Sequence, residues 1–171
     1  MANPMSTLGI IHTVVSLPPL IFGGWAFLRD GRIDPGTRVG WLYMLSMVAS
    51  ILTSFGLSST GGFNPGHGLG LLALVLMAVG VVASRVGGFG RATPYVETLT
   101  LSASFMVLLV PGINETLTRL PAGQPIASSP ESPPVQAALL ALVVFFLIGA
   151  TYQVLKLRAL ARRSSVAGSV A

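Results

Sequence analysis

Along the chain, apolar residues come in long unbroken runs separated by short polar or glycine- and proline-rich stretches. Five runs, at about 6–28, 38–58, 66–85, 94–117 and 134–157, are long enough or nearly so to cross ~30 Å of hydrocarbon as helices rising about 1.5 Å per residue. The pattern predicts an all-α polytopic transmembrane bundle of five helices. Pro18-Pro19 is expected to kink the first, and neighbouring helices can satisfy the freed carbonyls in lipid. The fourth is the weakest span. It holds Glu97, a Thr/Ser-rich stretch and Pro111-Gly112, which could break it near its far end.

The polar connections sharpen this picture. "RDGRIDPGTR" (29–38) carries Arg29, Arg32 and Arg38, while "SSTGGFNPG" (58–66) carries no basic residue. "RVGGFGR" (85–91) carries Arg85 and Arg91, and the stretch 118–133 carries only Arg119. Lys156, Arg158, Arg162 and Arg163 follow the last run. With five spans, nine of the ten basic residues fall on one side of the membrane. The positive-inside rule makes that side cytoplasmic, with the N-terminus outside and the C-terminus inside. Four spans would divide the tail from the loops and lose the bias. Trp25, Trp41 and Tyr43 flank the first basic loop as an interfacial aromatic belt would.

Composition agrees. The 171 residues are 52% hydrophobic and 9% charged, with mean hydropathy +0.78. Soluble domains are about a quarter charged. The net charge of +5 would suggest nucleic acid in a soluble protein. Here the basic residues punctuate apolar runs, so the expected partner is the lipid bilayer and not nucleic acid. There is no cysteine, hence no disulfide, iron–sulfur cluster or thiolate metal site. The N-terminus has no basic residue ahead of its apolar run, so the first segment reads as a retained helix. Residues 1–160 read as one transmembrane domain and 161–171 as a disordered cytoplasmic tail. "AGQPIASSPESPP" (122–134) reads as a flexible external loop. The setting implied is a bacterial inner membrane, with a homo-oligomer or a larger membrane complex as the possible assembly.

Candidate chemistry follows from the topology. His12 near the start of the first helix, His67 at the start of the third, and Asn114 and Glu115 near the end of the fourth all fall at one membrane face. Two imidazoles from different helices can ligate haem b axially, and His12 and His67 are the candidate cofactor-binding residues. A histidine with a carboxylate can also pass protons to a quinone. No metal site or catalytic residue is expected. The competing readings are structural. His67 follows the Asn64-Pro65-Gly66 turn, where a polar side chain at a helix start meets headgroups. His12 can bond a nearby serine or backbone group, and Glu115 can face water. Gly66, Gly70, Ala73, Met77, Gly80 and Ser84 form a small-residue stripe suited to close helix packing. Glu97, with Thr100 and Ser104 on its face, either pairs with Arg85 or Arg91 at the cytoplasmic end or begins an ion path with Ser46, Ser50, Thr53 and Ser54. Hydrolase, kinase, metalloprotease and c-type haem motifs are absent from the sequence.

The pieces "HTVVSLPPLIFGGWAFLRDGR" (12–32), "RVGWLYMLSM" (38–47), "FNPGHGLGLLALVLMAVGV" (63–81) and "SASFMVLLVPGINETLTRLP" (102–121) resemble the bacterial multi-pass membrane proteins grouped as domain of unknown function two-three-zero-six. In that family a histidine opens the first segment, a basic "HR…G" pair the second and a "P-x-H" the third, and another histidine often precedes the fourth. His12 and His67 match the first and third. "PGTR", ending in Arg38, replaces the second, and "RATPYVE" stands where the fourth would be. The resemblance implies an integral membrane protein of unestablished activity. The three functions that remain are a small membrane protein binding a hydrophobic or redox ligand near the outer face between helices one, three and four, a b-type cytochrome or quinone-linked protein using His12 and His67, and a transporter or channel subunit using the polar face of the fourth helix.

Overall fold

A computed structural model describes residues 6–57 and 62–167. These form five helices, all-helical as the pattern predicts: α1 (Thr7–Asp30), α2 (Arg38–Ser54), α3 (Pro65–Val86), α4 (Thr93–Arg119) and α5 (Pro133–Ala167), with a short 3-10 turn at Gly90–Ala92 ahead of α4. Four of them, α1, α3, α4 and α5, are long and apolar enough to cross a membrane. α2 is shorter than the run that predicts it. It stops at Ser54 after 17 residues, about 25 Å of helix. Residues 58–61 lie outside the described residues.

Three helix starts have a side-chain cap. Ser6 Oγ accepts from Gly9 N at 3.1 Å, and Thr37 Oγ1 accepts from Gly40 N at 3.1 Å. Asn64 Oδ1 accepts from His67 N, and Pro65 supplies a helix-ready backbone at the first position of α3. Pro111 does not break α4, which runs unbroken through it to Arg119. α5 continues past the expected end at 157 as far as Ala167, so residues 161–167 are helix and not disordered tail. The remaining four residues, 168–171, lie outside the described residues.

α1 packs along α2, α3 along α4, and α5 against α4, with a lighter contact between α2 and α3. The shared core is Ala26, Tyr43, Met47, Ile51, Ala73, Met77, Leu101 and Val107. Two glycines mark close approaches between helices. A Cβ on Gly80 would lie 2.7 Å from Thr100 Oγ1 and 2.9 Å from Leu101 Cγ, so α3 lies almost directly on α4. A Cβ on Gly23 would lie 2.4 Å from the Phe105 ring, which packs edge-on to Phe27 with ring centres 5.3 Å apart. The small-residue stripe of α3 is therefore a packing face, with Ala73, Met77 and Gly80 buried along it.

The outward surface is the inverse of a soluble protein's. Ile21, Leu28, Leu52, Val75, Leu140 and Phe145 all stand well exposed. Apolar side chains on the outside as well as the inside are the composition that makes four of these helices apolar enough to cross a membrane. Trp25 and Trp41 face outward as a belt requires, but Tyr43 is fully buried and bonded to Ser104. In the stretch 120–132, Ala127 N donates to Leu117 O and Ile126 N to Leu120 O, and Ala127 is buried. These bonds fold part of the proline- and serine-rich stretch back on the end of α4.

Gly→Ala inside a helix normally stabilises by about 0.5–1 kcal/mol. Gly80→Ala is expected to do the reverse and lower the unfolding midpoint in detergent, because Thr100 and Leu101 must move. Gly112→Ala, whose new Cβ meets nothing within 4 Å, is expected to leave the midpoint unchanged or raise it.

Candidate functional site

Both histidines meet the last turn of α2. His12 Nδ1 lies 2.9 Å from Thr53 Oγ1, and His67 Nε2 lies 3.2 Å from the Ser54 carbonyl oxygen. Their grouping at one end of the bundle, expected from topology, is present. What the grouping does is decided by hydrogen-bond logic.

Thr53 already donates its hydroxyl proton to Ser50 O at 2.8 Å. It must therefore accept from His12, which fixes the proton on Nδ1 and leaves Nε2 as acceptor. Ser16 Oγ lies 3.4 Å from that Nε2 and 2.7 Å from Ser50 Oγ. Ser50 donating to Ser16, Ser16 to His12, His12 to Thr53 and Thr53 to Ser50 O closes a ring between α1 and α2. His67 has an equally complete set. Asn64 N donates to Nδ1 at 3.3 Å, so Nε2 carries the proton and donates to Ser54 O. His67 takes the place of the usual Glu or Gln in a capping box at the start of α3. Its ring is buried between Phe55 and Phe63, with ring centres 5.0 and 5.6 Å away.

Bis-imidazole haem ligation needs a free ring nitrogen from each histidine, the two about 4 Å apart across iron. All four nitrogens of His12 and His67 are engaged by protein groups. As arranged, the pair does not fit a haem iron. No group of three or more His, Asp or Glu suited to a metal ion occurs among the described residues. Glu115 is exposed and ion-paired with Arg119 one turn along α4. Asn114 Oδ1 is buried without a hydrogen-bond partner among the described residues.

The opposite end of the bundle carries a second polar cluster, centred on α4. Glu97 is buried, and its charge partner is Arg32 at 3.5 Å from the α1–α2 connection. Arg85 and Arg91, the partners expected from sequence proximity, are exposed and make no ion pair among the described residues. Arg32 is shared: Nη2 bonds Asp34 at 2.6 Å, and Nη1 also reaches Thr98 Oγ1 at 3.4 Å. Farther along α4, Ser104 meets Tyr43 OH at 2.8 Å. Ser102 donates to Gln153 Oε1 at 3.0 Å, and Gln153 Nε2 donates to Gly31 O at 2.8 Å. Sequence reasoning singled out Glu97 and Ser104 but missed Arg32, Tyr43 and Gln153 as partners. The one available signal was Gln153 itself, an amide within an apolar run.

The two polar clusters do not join. Tyr43 and Ser50 are separated by about 10 Å along α2, and Met47 between them is buried in the core. Ser46 and Ser54, two members of the imagined path, bond their own helix backbone at Leu42 O and Ile51 O.

Beside the second cluster lies a groove of about 340 Å³ between α1, α4 and α5. Its walls are largely Phe27, Phe105, Leu109, Leu142, Phe145 and Phe146, and its polar end is formed by Gly31, Ser102 and Gln153. This volume is at the small end of ligand sites. The groove is about 28 Å along α1 from the level of His12, taking Gly31 as its end.

No family model matches the chain, and no curated protein or solved structure is similar to it at a significant level.

Replacing His67 with Ala removes half the capping box and the bond to Ser54. The expected loss is about 1–2 kcal/mol, read from unfolding in detergent. Protein purified from haem-replete cells is expected to lack a Soret band, and an absorption spectrum checks this directly.

Proposed function

We propose that this chain is a small integral membrane protein that binds an amphipathic, lipid-soluble molecule in the groove between α1, α4 and α5. The observation that carries the reading is an apolar groove with a hydrogen-bonded amide at one end. The chain Ser102–Gln153–Gly31 spans three helices there. Gln153 keeps a second amide N–H and a second lone pair on Oε1 beyond those bonds. An elongated molecule would lay its apolar part against Phe145, Phe146 and Leu109 and direct its polar end to Gln153.

The setting proposed with it is a bacterial inner membrane, with five crossings, the N-terminus outside and the C-terminus cytoplasmic. Nine of ten basic residues on one side support that orientation. α2 crosses within the thickness provided by its longer neighbours. Four helices long and apolar enough to cross a membrane support the membrane class, and membership of domain of unknown function two-three-zero-six is proposed with it, leaving the activity open. In this orientation the groove's polar end faces the cytoplasm, so the ligand lies in the inner half of the membrane and not at the outer face with the histidines.

Gly149 lines the groove, and a Cβ there would meet nothing within 4 Å. Gly149→Phe is therefore expected to fill the groove without disturbing the helices. A diazirine-bearing palmitate in proteoliposomes should label residues 142–153 of the native chain and label Gly149→Phe at most weakly. Equal labelling of the two would sink the reading.

A second reading rests on Glu97, a buried acidic residue whose one short-range cation among the described residues, Arg32, is shared with Asp34. Intramembrane carboxylates with such partners mark ion or proton sites. In this role Glu97 would exchange a proton with the cytoplasm as part of a transport cycle. Proteoliposomes with Glu97→Gln are then expected to lose proton flux; flux equal to the native chain's would remove the role.

A further inference from the structure

We propose that the ligand of the α1–α4–α5 groove is a phospholipid-class molecule with an anionic headgroup, recognised by Lys156. The inference rests on the groove reading and adds the chemistry of the head. On α5 the groove residues Leu142, Phe145, Phe146, Gly149, Tyr152 and Gln153 recur at spacings of three and four. Lys156 is the next position on the same stripe, one turn beyond Gln153. Its ammonium therefore stands where the apolar groove ends.

The local geometry agrees. Lys156 Nζ lies 3.2 Å from Asp30 O, and it would lie 3.2 Å from a Cβ built on Gly31, itself part of the groove lining. Lys156 thus bridges the end of α1 to α5 across the groove's polar end. An ammonium has three donors, and the carbonyl takes one. The nearest carboxylate is held first by another cation. Arg29 bonds both oxygens of Asp30, at 3.0 and 2.8 Å; Lys156 lies within electrostatic reach of Asp30 but makes no ion pair with it at 4 Å or less among the described residues. A cation without a short-range carboxylate partner, at the mouth of an apolar groove with an amide inside it, matches a phosphate ester joined to a hydrocarbon chain.

The alternatives fit less well. A neutral lipid would make no use of the Lys156 charge. A free phosphate would leave the aromatic walls unused. A purely apolar molecule would leave Gln153 and Lys156 without a role. The basic residues that follow on α5, beginning with Arg158, add positive charge at the same end and draw anionic lipid toward it.

The experiment uses proteoliposomes of phosphatidylcholine doped with a diazirine-chain phosphatidylglycerol or, separately, a diazirine-chain phosphatidylcholine. Crosslinks are mapped by mass spectrometry. Labelling within 142–153 is expected to be about fivefold stronger from the anionic probe, the size of effect one basic residue gives at a membrane surface. Lys156→Gln should bring the ratio close to one while phosphatidylcholine labelling persists, and Lys156→Arg should keep the preference. Labelling of the groove by both probes with no preference in the native chain overturns the headgroup assignment and leaves the groove reading standing. A preference that survives Lys156→Gln overturns the role of Lys156. Failure of both probes to label the groove overturns both readings. Inorganic phosphate added to saturation should not compete; competition would assign the site to free phosphate.

Discussion

A polar group placed among apolar helices must be bonded by another part of the protein, because the surroundings offer no water to do it. Most of this molecule's architecture follows from that constraint. The buried side chains Ser50, Ser102, Ser104, Gln153 and His67 each bond a different helix or a helix end. Helix pairs that look loosely joined by apolar contact are joined by these bonds at chosen points. His12 and Ser16 tie α1 to α2, His67 ties α3 to α2, Tyr43 ties α2 to α4, and Gln153 ties α5 to α4 and to the end of α1. Steric closeness does the rest, chiefly at Gly80, where α3 meets α4, and at Gly23, where Phe105 of α4 fits against α1.

The same constraint separates structural polarity from functional polarity. The two histidines are closed: every ring nitrogen has a partner, and the ring of bonds around His12 returns to its own starting helix. A closed set holds helices together and offers nothing to a ligand without breaking a bond worth about 1 kcal/mol. The other end is open. Arg32 divides its charge between two carboxylates, and Gln153 retains bonding capacity at the end of an apolar groove. α5 is the reason for the opening. It packs on α4 alone and meets α1 only at its end, through Gln153 and Lys156, so a gap remains between them.

Much of the fold was legible along the chain. Apolar runs located all five helices, and the caps at Ser6, Thr37 and Asn64 sit where serine, threonine and asparagine precede those runs. The small-residue stripe of α3 foretold a packing face because glycine and alanine spacing is a local property. The misjudged boundaries have local explanations too. α2 ends early in a turn at Phe55-Gly56, where Leu57 N donates to Ser54 O three residues back, and α4 passes through Pro111 because a single missing N–H in a long helix does not end it.

The site was legible only in part, and the division has a physical reason. Sequence alone determined which residues were polar inside apolar runs: His12, His67, Glu97, Ser104 and Gln153 are visible without coordinates. Run lengths also determined which helix ends share a side, and so brought the two histidines together in prediction as in structure. Partnership was decided by tertiary structure. Glu97 pairs with Arg32, 65 positions away, and not with the nearer Arg91. Tyr43 turns inward to Ser104 instead of facing an interface. The groove exists because α5 leaves α1 uncovered. Hydropathy records how much each segment prefers an apolar medium, but a hydrogen bond or a gap depends on rotation and depth of one helix against another. That geometry is set by packing across the whole bundle, and no single stretch of chain contains it.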